Sequence, residues 1–177
     1  MGKIHWIGTG LSSVPGLRRL LKQTEDICVW NRSLDKAQSL VGDLTKNIRV
    51  FNLENLQKGL LESDIVVSML PGEWHVQIAK LCIDHSAHFV SSSYISEEME
   101  SLHGWALKKN LSLVNEVGLD PGIDHLMSHY LVHDYKNSVS YDPDNEIEFL
   151  SYCGGIPKVL NKFCYKFSWS PTGVLKA

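Results

Sequence analysis

Apolar residues along the chain fall into short runs separated by segments of helical spacing. Lys3–Ile7, Asp26–Asn31, Arg49–Phe51, Asp64–Leu70, His88–Ser92 and Leu111–Val114 read as six strands. The fourth (DIVVSML) is almost continuously apolar, as a strand covered on both faces should be. Leu34–Leu44 puts Ala37, Leu40, Val41 and Leu44 on one helical face, and helical spacing recurs at Glu54–Leu61 and Glu73–Ile83. Another helix is expected from Ser96, with Glu97 and Glu98 in a first turn that favours acids. Strands alternating with helices predict an α/β fold built on a doubly wound parallel sheet.

The pattern changes after His125. A helix is expected from near Ile123 to about Tyr135, followed by the polar loop Lys136–Asn145. Glu146–Tyr152 (EIEFLSY) and Phe163–Trp169 (FCYKFSW) then alternate polar with apolar and aromatic residues, which predicts two antiparallel or mixed strands. Pro171 stands where a helix would open. This divides the chain into a domain over 1–122 and the truncated start of a second α/β domain over 123–177. There is no internal repeat.

Composition narrows the function classes. A net charge of −3 gives no basis for a nucleic-acid partner. No apolar run approaches the roughly 18 residues of a membrane helix, and the N-terminal apolar strand is too short for a signal peptide. Cys28, Cys82, Cys153 and Cys164 are widely spaced without a C-x-x-C pair, which favours reduced thiols in a cytosolic protein.

In an open α/β sheet, ligands bind at the loops that follow the strands. The first is Gly8-Thr9-Gly10-Leu11-Ser12-Ser13-Val14-Pro15, a strand–glycine turn–helix unit that sets backbone N–H groups and a helix N-terminus against a pyrophosphate. Ser13 takes the place of the usual third glycine. The second strand ends at Asn31-Arg32-Ser33, where an NAD-binding unit would carry an acid for the ribose 2′-hydroxyl. Arg32 suits the 2′-phosphate of NADP instead, unless it is a solvated surface cation. Leu70-Pro71-Gly72 and Ser91–Tyr94 are further strand-end loops. The last is Asn115-Glu116-Val117-Gly118-Leu119-Asp120-Pro121-Gly122-Ile123-Asp124-His125, which gathers an asparagine, a glutamate, two aspartates and a histidine around two glycines and a proline. Its local chemistry fits either a capped strand-to-helix turn or a ligand loop. His125, His129 and His133 recur every fourth residue on one helical face, but no carboxylate or cysteine set accompanies them, and no metal is expected.

Several stretches together resemble the saccharopine dehydrogenase (saccharopine reductase) family in its L-glutamate-forming branch. They are Gly8–Pro15, DIVVSMLP at Asp64–Pro71, Ser92-Ser93-Tyr94, NEVGLDPGIDH at Asn115–His125, FLSYCGG at Phe149–Gly155 and YKFSWSPTGVL at Tyr165–Leu175. The resemblance covers essentially the whole chain. It departs at Ile156–Phe163, which lacks the family's LPAPE-type run, and family chains are far longer. The resemblance implies a Rossmann-type NADP-binding domain followed by a substrate and dimerisation domain. It implies hydride transfer between NADP(H) and the C–N bond of saccharopine, in lysine metabolism.

Under that resemblance Gly8, Thr9, Gly10, Leu11 and Ser12 hold the cofactor phosphates, and Asn31, Arg32 and Ser33 take the 2′-phosphate end. Leu70, Pro71, Ser92 and Ser93 lie along the nicotinamide. Asp120 is the first candidate for acid–base work on the substrate amine, with Asp124 second and Tyr94 as proton relay. Tyr94, Asp120, Gly122, Cys153 and Gly154 face a small-molecule substrate. Three other readings stay open: a non-catalytic NADP-binding fragment, one half of a split enzyme awaiting a C-terminal polypeptide, and a reductase of carboxylated polyamines. A homodimer formed through the second domain, without nucleic acid or membrane, completes the expectation.

Overall fold

A computed structural model describes residues 2–152, 154–167 and 175 of the 177-residue chain. Its centre is a six-stranded sheet of β1 (Ile4–Ile7), β2 (Ile27–Asn31), β3 (Ile48–Val50), β4 (Ile65–Ser68), β5 (His88–Ser91) and β6 (Leu113–Val114). The strands lie in the order β3-β2-β1-β4-β5-β6, and every pairing is parallel. Ile7 is in register with Trp30 on one side and Ser68 on the other, so the ends of β1, β2 and β4 open onto one edge. The order reverses at β1, which makes the gap between β1 and β4 the place where a ligand can enter.

Apolar side chains alternate between the two faces of the sheet. Toward one face, α1 (Val14–Leu21) and α2 (Leu34–Val41) bury Leu17, Leu21 and Val41 against Trp6, Ile27 and Val29. Toward the other lie α3 (Leu53–Gly59), α4 (His75–Asp84), α5 (Glu97–Glu100) and α6 (His103–Lys108). There Ile7, Cys28, Trp30, Val66 and Phe89 pack against Leu56, Ile78, Ala79, Ile83, Met99 and Ala106. Three of these helices, α2, α3 and α5, start where polar side chains satisfy their free N–H groups. Ser33 Oγ accepts from Lys36 N, Asn52 Oδ1 from Asn55 N, and Ser96 Oγ from Met99 N. Pro15 sits in the first turn of α1, where it costs no hydrogen bond. The expected helix from Ser96 is broken into α5 and α6.

A buried polar knot ties β1 to its neighbours. The Trp30 indole donates to His5 Nδ1 at 3.0 Å, leaving Nε2 to donate to Asp64 Oδ2 at 2.9 Å. Asp64 also accepts the N–H groups of Lys3 and Leu61. Burial holds His5 below its ordinary pKa despite the Asp64 carboxylate beside it.

α7 (Ile123–Lys136) follows as expected, but the two aromatic strands do not. Glu146–Tyr152 carries no strand, nor does the described part of the second, Phe163–Phe167; Ser168, Trp169 and the expected helix at Pro171 lie outside the described residues. A strand needs a neighbour for its N–H and C=O groups. Here neither sheet edge, β3 or β6, receives these segments, and Phe149, Leu150, Tyr152, Phe163 and Phe167 stay exposed. The alternating pattern describes side chains ready for a sheet, without a ladder to join. No helix among the described residues is long and apolar enough to cross a membrane.

Candidate cofactor and substrate site

The glycine loop is held rigid from below. Gly8 donates its N–H to Trp30 O at 2.9 Å, while its carbonyl accepts from the Trp6 indole and from Ser13 Oγ. Gly8 has φ +101°, and a Cβ there would lie 3.0 Å from Met69 O, so both conformation and space call for glycine. Buried Ser13 explains the missing third glycine: its hydroxyl also bonds Gly10 O at 3.1 Å and stitches the loop closed. Among the described residues, the N–H groups of Thr9, Gly10, Leu11 and Ser12 have no protein acceptor. A run of unpaired N–H groups ahead of a helix is a ready anion cradle.

A cleft opens beside this loop, lined by Gly8, Thr9, Gly10, Asn31, Arg32, Lys36 and Leu70 over a floor of Ile7, Trp30, Phe51 and Met69. No acid lines it. Arg32 precedes the first residue of α2 and Lys36 lies in that helix's first turn; both line the cleft, and among the described residues neither takes part in an ion pair. Lys36, on the first turn of the helix that follows Arg32, escaped the sequence reading. Asn31 is oriented by two bonds, its Nδ2 donating to Thr9 Oγ1 and its Oδ1 accepting Ser33 N. Ser33 serves as the α2 cap. Leu70 is positioned by buried His75, whose Nε2 donates to Leu70 O at 2.9 Å. Burial lowers the His75 pKa, which keeps that ring neutral. Leu11, 90% exposed, and Ser12 flank the cleft without lining it, as does Pro71 at the start of the 3-10 turn Gly72–Trp74.

A second cluster forms where the loop after β5 meets the loop after β6. Val117 N donates to Ser91 O, Glu116 N to Ser93 O, and Ser91 Oγ to Asn115 Oδ1. Ser92 packs against Gly118, where a Cβ would come within 3.2 Å of the serine Cβ. The Tyr94 hydroxyl donates to Asp120 Oδ1 at 2.7 Å. That bond to a carboxylate pushes the phenol up to about 12, although the ring is 62% exposed. Asp124 turns the other way, its Oδ1 accepting Gly122 N at 2.7 Å. Burial pushes its carboxyl up, but the N–H groups of Gly122 and His125 outweigh it and the net shift is downward.

The structure therefore joins Tyr94 to Asp120 and sets Asp124 as a brace of the loop. Gly154 is exposed near Tyr165, and no hydrogen bond among the described residues ties it to the Tyr94–Asp120 pair; Cys153 lies outside the described residues. His125, His129 and His133 are not joined by further ligands: among the described residues no three potential metal-binding side chains converge.

A parallel 3-2-1-4-5-6 sheet with a glycine-turn anion cradle and a doubly cationic, acid-free cleft defines a dinucleotide-binding domain of the NADP type. Residues 4–114 match the saccharopine dehydrogenase NADP binding domain, and residues 118–177 the saccharopine dehydrogenase C-terminal domain. The chain belongs to the saccharopine dehydrogenase family. It is 33% identical, over its full length, to the NADP(+), L-glutamate-forming saccharopine dehydrogenase of Schizosaccharomyces pombe, of which it covers 40%. It is 38% identical over 72% of its length to an alpha-aminoadipic semialdehyde synthase of Arabidopsis thaliana, covering 12% of that protein. The solved apo saccharopine dehydrogenase (L-Glu forming) of Saccharomyces cerevisiae superposes with a TM-score of 0.81 at 32% identity, over 99% of this chain and 40% of that one. The chain thus spans about 40% of the length of its fungal relatives.

Proposed function

We propose that the chain binds NADP(H) and contributes the cofactor half of a saccharopine dehydrogenase, interconverting saccharopine with α-aminoadipate semialdehyde and glutamate. The observation that carries this reading is the cleft, with unpaired N–H groups at 9–12, two cations and no acid. Backbone N–H groups of Thr9–Ser12 take the pyrophosphate, and Arg32 with Lys36 takes the 2′-phosphate. Leu70, Pro71, Ser92 and Ser93 flank the nicotinamide. NADPH, when bound, supplies the hydride for imine reduction. Asp120 exchanges a proton with the substrate nitrogen. With its phenol pushed to about 12, Tyr94 stays protonated near neutrality and works as a hydrogen-bond donor and relay. Gly122, Cys153 and Gly154 belong to the substrate side, and Asp124 supports the loop.

A domain boundary at 122/123, a homodimer formed through the second domain and a cytosolic location complete the proposal. A second reading is favoured by the apolar side chains left open on α7 and beyond, among them Leu126, Tyr130, Leu131 and Phe163. In it the chain holds cofactor without turnover until another polypeptide covers that surface. Titrating NADPH and NADH by fluorescence, then assaying saccharopine oxidation and carboxylated polyamine reduction, separates these readings. Tight NADPH binding with saccharopine turnover supports the first, and NADPH binding without turnover the second. Tighter binding of NADH would overturn the role of the two cations.

A further inference from the structure

Glu116 holds the backbone on both sides of Tyr94. Its N–H donates to Ser93 O at 3.2 Å, and its side-chain Oε1 accepts Ile95 N at 3.2 Å. Tyr94 is caught between these two bonds, and its hydroxyl extends from there to Asp120. Glu116 does this from φ +60°, a left-handed conformation that disfavours a glutamate. Such a conformation persists where its surroundings over-determine it, and here the surrounding bonds all lead to the Ser91–Ile95 loop. The acceptor is a carboxylate, so its bond to Ile95 is charge-assisted. Neighbouring Asn115 and Val117 contribute only bonds to Ser91, further back along the loop.

We infer that Glu116 is a positioning residue, which sets the direction of the Tyr94 side chain and so forms the Tyr94–Asp120 pair. It acts through the loop and touches neither reacting group. The inference rests on the proposal that this pair faces substrate, but the geometry it claims can be measured without substrate.

The test uses the full chain labelled with 3-fluorotyrosine, whose phenol ionises at lower pH and so titrates while the protein stays folded. The Tyr94 fluorine resonance is identified by its loss in Tyr94→Phe, and its midpoint is compared with that of free 3-fluorotyrosine. Two neutral variants separate reach from charge. Glu116→Gln keeps an oxygen at the same reach, while Glu116→Asn is one carbon too short and belongs to a residue type that tolerates positive φ. We expect Tyr94 to titrate above free 3-fluorotyrosine in wild type and in Glu116→Gln, and to fall back toward it in Glu116→Asn. Glu116→Gly, which adopts this backbone freely, should agree with Glu116→Asn. Equal midpoints in the Gln and Asn variants, or a high midpoint in Glu116→Gly, would overturn the positioning role. If the Tyr94–Asp120 pair behaves as described yet Asp120→Asn leaves turnover unchanged, only the catalytic reading of the pair falls.

Discussion

At Gly122 the backbone has φ +145°, and a Cβ would stand 2.3 Å from Gly118 O. No side chain fits there, and the carbonyl it would meet belongs to the same loop. Gly122→Ala should therefore cost on the order of 3 kcal/mol, lowering Tm by roughly 10 °C in a scan of the whole chain. A shift of a degree or two would show that the loop relaxes easily. Arg32 and Lys36 make a different kind of claim. Arg32→Ala should weaken NADPH binding by about 10- to 100-fold, as expected for loss of a charged hydrogen bond. Lys36→Met should do the same to a lesser degree. NADH binding should be unchanged in both, and equal losses for the two cofactors would place the cations away from the 2′-phosphate. At this scale the sequence was legible where spacing carried the signal, as at Gly8 and Arg32. It was illegible where a long-range bond did: nothing local announces that Trp6 supports Gly8 O, that His75 holds Leu70 O, or that Ser13 ties two carbonyls.

Among the elements, β4 was readable because a parallel strand covered on both sides must be largely apolar, and DIVVSML nearly is. The tail shows the limit of that logic. Period-two alternation reports which side chains want a sheet, whereas the ladder depends on a partner strand elsewhere in space. Glu146–Tyr152 and Phe163–Phe167 have the pattern and no partner, so they carry no strand, and Phe163-Cys164 forms part of a turn. The Rossmann part should bear this out energetically. Phe89, fully buried at the middle of β5, packs with His75 from α4. Phe89→Ala should cost about 3–5 kcal/mol and lower Tm measurably. Truncating exposed Phe163 should cost less than about 0.5 kcal/mol. Comparable losses at both positions would mean that the tail packs more firmly than its exposure indicates.

For the molecule as a whole, two buried histidines set a pH limit. Burial lowers the pKa of both His5 and His75, so each takes up its proton more readily once the chain unfolds. Acid then favours the unfolded chain. Their neutral forms cost nothing above the unfolded value of about 6.5, and stability declines as pH falls from there through their folded pKa values. Tm measured at about pH 7.5 and at about pH 5.5 should show the loss; an unchanged Tm would mean that neither ring is kept neutral. Family membership was likewise legible from whole motifs, since NEVGLDPGIDH and DIVVSMLP are long enough to be specific.

The His5–Trp30 contact has an optical consequence. The Trp30 indole floors the cofactor cleft, is almost wholly buried, and stacks with its centroid 5.8 Å from the His5 ring. Its emission should be blue-shifted and quenched when a reduced nicotinamide nucleotide, an absorber in that wavelength range, settles over it. The same emission should dim once His5 gains a proton. A difference spectrum against Trp30→Phe would then report cleft occupancy and the state of the core from a single chromophore that the protein already carries.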